Sequence, residues 1–395
     1  MKNAITVIEI SHSFIKLVIG SVDKGKLLVH YVKKLPISGL IENGAINDRE
    51  GLLAAISKVN PIDDDYFDIH QLIDDAVIIL PSYGLEIYST TQITSVISRE
   101  RVVENQDIIN IYSIISNKKL PVNNELIDII PETYKIDSGE IYDVPPIGKS
   151  SRAINARVNV HTIPKKINSE YTDIISKSGI SISHKVASTY GAVCLLSTMD
   201  NLPRSYFLID IGSNSTSVSL VGNSKLIASR SFAWGGNTIT EKIVQSFNIN
   251  GKEAERIKCV YGLDQREMKF LYPIAKSSDG KQWYREDLNK IITDCLDKFV
   301  NLVDVPVEQL AGQYKVENYH SIPYVIIGGA NKLHGLTDYL KQKLNREDIY
   351  LAKPNVIGAR DSSLFSCLGA ILFHNHHPGV VEDINTAVTP ISRED

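Results

Sequence analysis

The run Asp210-Ile211-Gly212-Ser213-Asn214-Ser215-Thr216 gathers a carboxylate, a glycine and three hydroxyls in one short stretch. Free backbone N–H groups and hydroxyls are phosphate ligands, and a carboxylate at a strand end holds Mg²⁺, usually through water. Read alone, the run equally suits the polar tip of a hairpin. Gly328-Gly329-Ala330 follows an apolar segment, where a backbone without side chains can approach a flat ring or a ribose; an ordinary tight turn uses the same residues. Gly235-Gly236-Asn237-Thr238 is a third such place. Glu255 and Lys258 stand three apart on a predicted helix and so share a face. They can hold ribose hydroxyls or a purine edge, or simply form a solvated ion pair. No general base stands out, because His12 and His161 are isolated and an isolated histidine is more often structural. His374-Asn375-His376-His377 is spaced too tightly for a metal site and reads as a helix-end loop. Asp63-Asp64-Asp65 lacks the glycine and closing glutamate of a calcium loop and reads as a solvated turn.

The elements that must position these residues occur twice. Residues 4–10 read as a strand, 11–13 as a polar loop, 14–22 as a strand, 24–26 as a turn and 27–33 as a strand. Residues 206–211, 212–216, 217–221, 223–224 and 226–232 repeat that layout. The carboxylates at the two loops, Glu9 and Asp210, are 201 residues apart, about half the chain. A repeat of this length predicts two similar halves facing a cleft, not a solenoid. Helices are predicted at 50–59, 105–115, 166–178, 189–197, 237–247, 252–261, 336–344 and 363–373, and buried strands at 76–80, 181–185 and 323–327. The clearest helix is 286–303, whose Leu288, Ile292, Cys295, Phe299 and Val303 fall on one stripe. An exposed edge of that stripe can present a groove to a peptide. Residues 82–163 differ in texture, with many Ile, Ser and Thr punctuated by prolines, and read as a small α+β unit inserted in the first half.

The chain has 395 residues, is 43% hydrophobic and 22% charged, and has a net charge of −4. This is ordinary globular composition, which excludes global disorder and gives no basic excess for nucleic acid. No apolar run reaches the roughly 18 residues of a membrane span, and no secretory leader is expected. Four scattered cysteines fit reduced thiols in the cytoplasm and provide no zinc framework.

A duplicated hairpin loop, then Gly-Gly, then Glu-x-x-Lys, then strand-Gly-Gly-helix resembles the actin-like nucleotide-binding superfamily. PETYKIDSGEIYDVPPIGKSSRAINARVNVHTIP (131–164) and FAWGGNTITEKIVQSFNINGKEAERIKCVYG (232–262) narrow the resemblance to the bacterial cell-division protein FtsA, over about residues 4–373. It implies an α/β, actin-like two-domain fold of duplicated ribonuclease-H-like halves with the FtsA-type inserted α+β subdomain. The implied domains are a first half of 1–81, 166–200 and 356–377; an insertion of 82–165; a second half of 201–232 and 304–355; and an outer subdomain of 233–303. It further implies ATP or ADP with Mg²⁺ near Glu9 and Asp210. Ser11, His12, Ser13 and Gly212 to Thr216 would meet the phosphates, Gly235 and Gly236 the cleft, Glu255 and Lys258 the ribose, and Gly328, Gly329 and Ala330 the adenine. Implied partners are the FtsZ C-terminal tail at 233–303, a head-to-tail polymer of the chain itself, and later division proteins through the insertion. The implied location is the inner face of the cell membrane at the division site.

Two departures modify these expectations. The family's first phosphate loop reads Asp-x-Gly-(Thr/Ser), whereas here it is Glu9-Ile10-Ser11-His12-Ser13. Glu moves the carboxylate by about 1.5 Å, and Ser lacks the backbone freedom of Gly. Nucleotide binding is therefore expected to survive, with hydrolysis slow or absent and no catalytic residue assigned. Residues 378–395 carry one Arg against Glu382, Asp383, Glu394 and Asp395, two prolines and no aromatic residue. They read as a disordered linker and at most a weak membrane contact. Other machines remain open for such a fold: an FtsA-like protein of pilus or shell assembly, or a small-molecule kinase.

Overall fold

The computed structural model describes residues 4–65, 69–264 and 272–376; the tail at 378–395 lies outside them. Two five-stranded sheets share one topology. In the first, the order is Ser181–Ala187, Asp75–Leu80, Ile5–Ile10, Phe14–Asp23 and Lys26–Pro36. In the second, the matching order is Ile349–Leu351, Tyr324–Ile327, Tyr206–Ile211, Thr216–Gly222 and Lys225–Phe232. Each has an antiparallel three-strand meander extended by parallel strands. Even the register repeats at the 201-residue offset: Ile5 faces Gly20 and Ile10 faces Ile15 in one half, while Tyr206 faces Val221 and Ile211 faces Thr216 in the other. The central strands are buried on both faces, as continuous runs such as Ala76–Leu80 require.

Helix Ser188–Leu196 packs on the C-terminal helix Phe365–His376 through Gly191 and Gly369. A Cβ on Gly369 would lie 1.7 Å from the Gly191 carbonyl oxygen, so the backbones themselves are in contact. A 3₁₀ turn, Ser362–Leu364, precedes the C-terminal helix. The Asp361 carboxylate caps that turn, accepting the Ser363 amide at 3.0 Å.

The insertion is a four-stranded antiparallel sheet ordered Ile141–Tyr142, Asn124–Ile136, Ala153–Pro164 and Glu86–Ser95, with helix Asn105–Ser116 against it. It has its own core around Ile111, Tyr112 and Tyr134, whose phenols share a 2.7 Å hydrogen bond. Asp128 and His161, opposite each other in this sheet, are buried against the first half; His184 Nε2 lies 3.4 Å from Asp128, and Tyr190 stacks edge-on to His161.

The structure differs from the sequence reading at Asp63–Asp65, where Ile62–Asp64 is a strand paired with Ile69–Gln71, and at one long helix. The apolar helix runs from Arg285 to Gln313, past 303 and through Pro306. Val303, Pro306, Val307, Leu310 and Ala311 continue the buried stripe, and their burial offsets the hydrogen bond that proline removes. One helix therefore crosses the division expected between 303 and 304.

Candidate functional site

The two hairpin tips close in the same way. The Ser11 amide donates to the Phe14 carbonyl, and the Gly212 amide to the Ser215 carbonyl, both at 2.9 Å. Neither Ser11 nor Gly212 has a positive φ, so serine fits the first tip without backbone strain, contrary to what its lack of freedom suggested. Ser11, His12 and Ser13 of one tip and Gly212, Ser213, Asn214 and Ser215 of the other line a single cavity of about 870 Å³ between the halves. His12 Nδ1 is 2.6 Å from the Ile41 carbonyl oxygen; donation to it fixes the tautomer and leaves Nε2 unprotonated in the neutral ring. His161, the other candidate base, is not in the cavity wall; burial in the insertion pushes its pKa down to about 4.

The second tip is strapped to the start of helix Gly236–Phe247. The Gly236 amide donates to the Gly212 carbonyl at 3.0 Å, and the Asn237 amide to the Ser213 carbonyl at 2.8 Å. Gly235 supports this joint from behind, since a Cβ there would sit 2.4 Å from the Ser213 carbonyl oxygen; it does not line the cavity. Thr216 does not reach the cavity either. Its hydroxyl is buried and donates to the Trp234 carbonyl at 2.8 Å. Trp234 in turn stacks on Phe299 of the long helix at 4.3 Å.

Glu255 and Lys258 share a face of helix Gly251–Tyr261 and line the cavity. The Lys258 ammonium donates to Glu255 (2.6 Å), the Thr240 hydroxyl (2.8 Å) and the Gly236 carbonyl (3.0 Å). This ties the helix pair together under the second tip. Gly328 turns with φ of +94° directly against the Asp210 strand, where a Cβ would lie 2.4 Å from the Ile211 carbonyl oxygen. Gly328 and Gly329 line the cavity, while Ala330 continues the backbone in the short turn Gly329–Lys332.

The two strand-end carboxylates differ in what they meet. Glu9 is buried, with one oxygen on Lys16 Nζ (2.8 Å) and the other accepting from Ser366 (2.8 Å) and Cys367 (3.1 Å). Both oxygens are thus engaged by its own half, which leaves Glu9 unlike the metal-facing carboxylate that its position suggests. Among the described residues, no hydrogen bond or ion pair engages the Asp210 carboxylate. Burial raises its pKa to about 6 against the opposing pull of Lys16, and Glu9 adds to the rise. A cation would relieve that cost, so the donor set at Asp210 fits a metal and that at Glu9 does not.

Sequence reasoning missed four lysines in this wall: Lys16, Lys34, Lys252 and Lys332. Lys16 carried a signal, a lone cation inside the otherwise apolar run from Phe14 to Ile19. Lys34 and Lys332 carried none, because their shared partner Asp361 is distant in sequence. With Lys258, five lysines face three carboxylates in the wall, a balance suited to a polyanion.

Residues 207–369 match the family model described as cell division protein FtsA, and residues 84–162 match the SHS2 domain inserted in FtsA. The chain is 21% identical over 377 residues to cell division protein FtsA of Bacillus subtilis (strain 168), covering 93% of this chain and 82% of that one. It is 20% identical over 366 residues to the FtsA of Escherichia coli (strain K12), covering 90% and 85%. Among solved structures, the PilM–PilN type IV pilus biogenesis complex superposes with a TM-score of 0.62 at 16% identity, covering 94% of this chain and 98% of that one. MreB5 of Spiroplasma citri bound to AMPPNP gives 0.54 at 12% identity, covering 97% and 99%. These two likenesses establish the actin-like fold. The two matched segments, with these FtsA relatives, show that the chain belongs to the FtsA family of cell-division proteins.

Proposed function

We propose that this chain is an ATP-binding division scaffold that polymerises and links the FtsZ ring to the membrane and to later division proteins. The observation that carries the reading is the meeting of two equivalent hairpin tips, one from each half, on one cation-rich cavity. The Ser11–Ser13 and Gly212–Ser215 tips grip the phosphates of ATP or ADP from opposite walls. Glu255 and Lys258 hold the ribose, and the backbone at Gly328–Gly329 lies against the adenine. Mg²⁺, held through water at Asp210, would neutralise phosphate charge. Lys16, paired with Glu9, stands at the base of the first tip. Because the nucleotide touches both halves, its binding favours one arrangement of the cleft, and that arrangement is the one competent to polymerise. Polymers gain avidity for FtsZ tails at 233–303 and for partners at the insertion.

Turnover is slow or absent in this reading. Glu9 is committed to Lys16, which removes it as a metal-facing or water-activating carboxylate. Isothermal titration with ATP and with ADP, each with Mg²⁺, tests the binding. Heat that saturates at one site per chain is expected, and its absence with both nucleotides overturns the proposal. Steady-state phosphate release is expected to stay near background. A pull-down with the FtsZ tail peptide separates division from pilus or shell assembly, since retention of the peptide is expected only for division.

A further inference from the structure

Lys332 follows the Gly328–Gly329 turn of the second half, and Lys34 stands on strand Lys26–Pro36 of the first. Both reach the same carboxylate oxygen of Asp361, at 3.2 and 2.7 Å. Asp361 lies at the start of the segment that packs the C-terminal helix onto the first half. Among the described residues, Lys332–Asp361 is the one ion pair that joins the two halves across the cavity. Lys34 is fixed from the other side, donating to the Ser363 hydroxyl at 2.9 Å and lying 4.6 Å over the Phe14 ring. The Ser363 carbonyl accepts the Lys16 ammonium at 2.6 Å, so the segment also holds the base of the first tip.

We infer that Asp361 is a positioning residue, a latch that draws the Gly328–Gly329 turn toward the first half and slows nucleotide release. This rests on the nucleotide reading above. Burial alone would raise the Asp361 pKa, but the Lys34 hydrogen bond, the Ser363 amide and the Lys332 charge hold it well below the usual carboxylate range. The latch is therefore charged at neutral pH. Lys34–Asp361 is the partly buried, fixed arm and the more exposed Lys332–Asp361 contact is the arm that opens. An exposed contact of this kind supports only a modest effect on release, about three- to fivefold.

The sign of one substitution separates this role from its rival. If Lys34 and Lys332 were simply phosphate ligands, Asp361 would compete with the phosphates, and its neutralisation would slow release. If Asp361 is a latch, neutralisation speeds release. Asp361→Asn is the suitable variant because it can keep the cap on the Ser363 amide while removing the charge. Release of a fluorescent ADP, measured by chase with unlabelled ADP, is expected to quicken three- to fivefold in Asp361→Asn and in Lys332→Ala. The association rate should hold, the double variant should be no faster than either single one, and Asp361→Glu should restore slow release. Slower or unchanged release in Asp361→Asn, or additive effects in the double variant, overturns the latch. Small-angle scattering of the nucleotide-free protein reads the same contact without ligand. A larger radius of gyration is expected for Asp361→Asn, and an unchanged one counts against the latch even if the wild-type chain binds no nucleotide. That last result would defeat the nucleotide reading separately.

Discussion

Asp210 carries an electrostatic cost. A carboxyl whose pKa is raised to about 6 is ionised at neutral pH against its surroundings, whereas in the unfolded chain it ionises freely from about 4 upward. The unfolded state therefore loses its proton first, and the group weakens the fold as pH rises from about 4 to 6, with the full penalty above that. Asp210→Asn is expected to raise the melting temperature of the nucleotide-free protein by a few degrees and to abolish the Mg²⁺ dependence of ATP binding. A lower melting temperature with unchanged metal dependence would remove Asp210 from the site. His161 acts over much the same range with the opposite sign. Its pKa of about 4 lies below the unfolded value, so between about pH 6.5 and 4 the unfolded chain takes up a proton that the folded one refuses. Stability is present above that window and lost as pH falls through it, by up to about 3 kcal/mol. Denaturant titrations at pH 7.5 and 5 measure this. His161→Gln is expected to flatten the pH slope, and an unchanged slope would place the acid sensitivity elsewhere. Half of the cleft was legible. Both tips, the Glu255–Lys258 pair and the Gly328 turn are ambiguous singly and were picked out by their order along the chain and the resemblance, whereas Lys34, Lys332 and Asp361 meet only after folding brings distant segments together.

Among the elements, what the sequence disclosed follows from how each is buried. The two meanders were readable because apolar runs alternate with turns such as Lys24-Gly25 and Asn223-Ser224, whose positive φ values suit hairpin ends. The strands of the insertion were not individually readable, since Glu86–Ser95 is only half-covered and mixes Thr and Ser with isoleucine throughout. The long helix was cut short because Pro306 is a stop signal that local sequence cannot distinguish from a tolerated, buried proline. The crossing of helices Ser188–Leu196 and Phe365–His376 gives a sharp test. Gly369→Ala places a methyl into the Gly191 carbonyl and is expected to cost about 3 kcal/mol in chemical denaturation. Gly312→Ala, at an exposed helical position with open space around it, is expected to gain roughly 0.5 to 1 kcal/mol. If both variants changed stability alike, the backbone contact at the crossing would be misplaced.

At the scale of the whole molecule, a ligand that touches both halves must couple their unfolding. ATP at 100 times its dissociation constant is expected to add about 2.7 kcal/mol to stability, seen as one sharper melting transition. Two separate transitions that ignore ATP would mean that the halves do not share it. The insertion enters and leaves the parent fold at a single doorway. Its first and last strands are hydrogen-bonded neighbours, with Glu86 opposite Thr162, and Gly84 is pressed against Pro164 so closely that a Cβ would lie 2.7 Å from the ring. A module mounted on two adjacent stalks can be exchanged for another of any shape without re-threading the host. The cleft and the inserted module can then change independently, one by point substitution and the other by grafting.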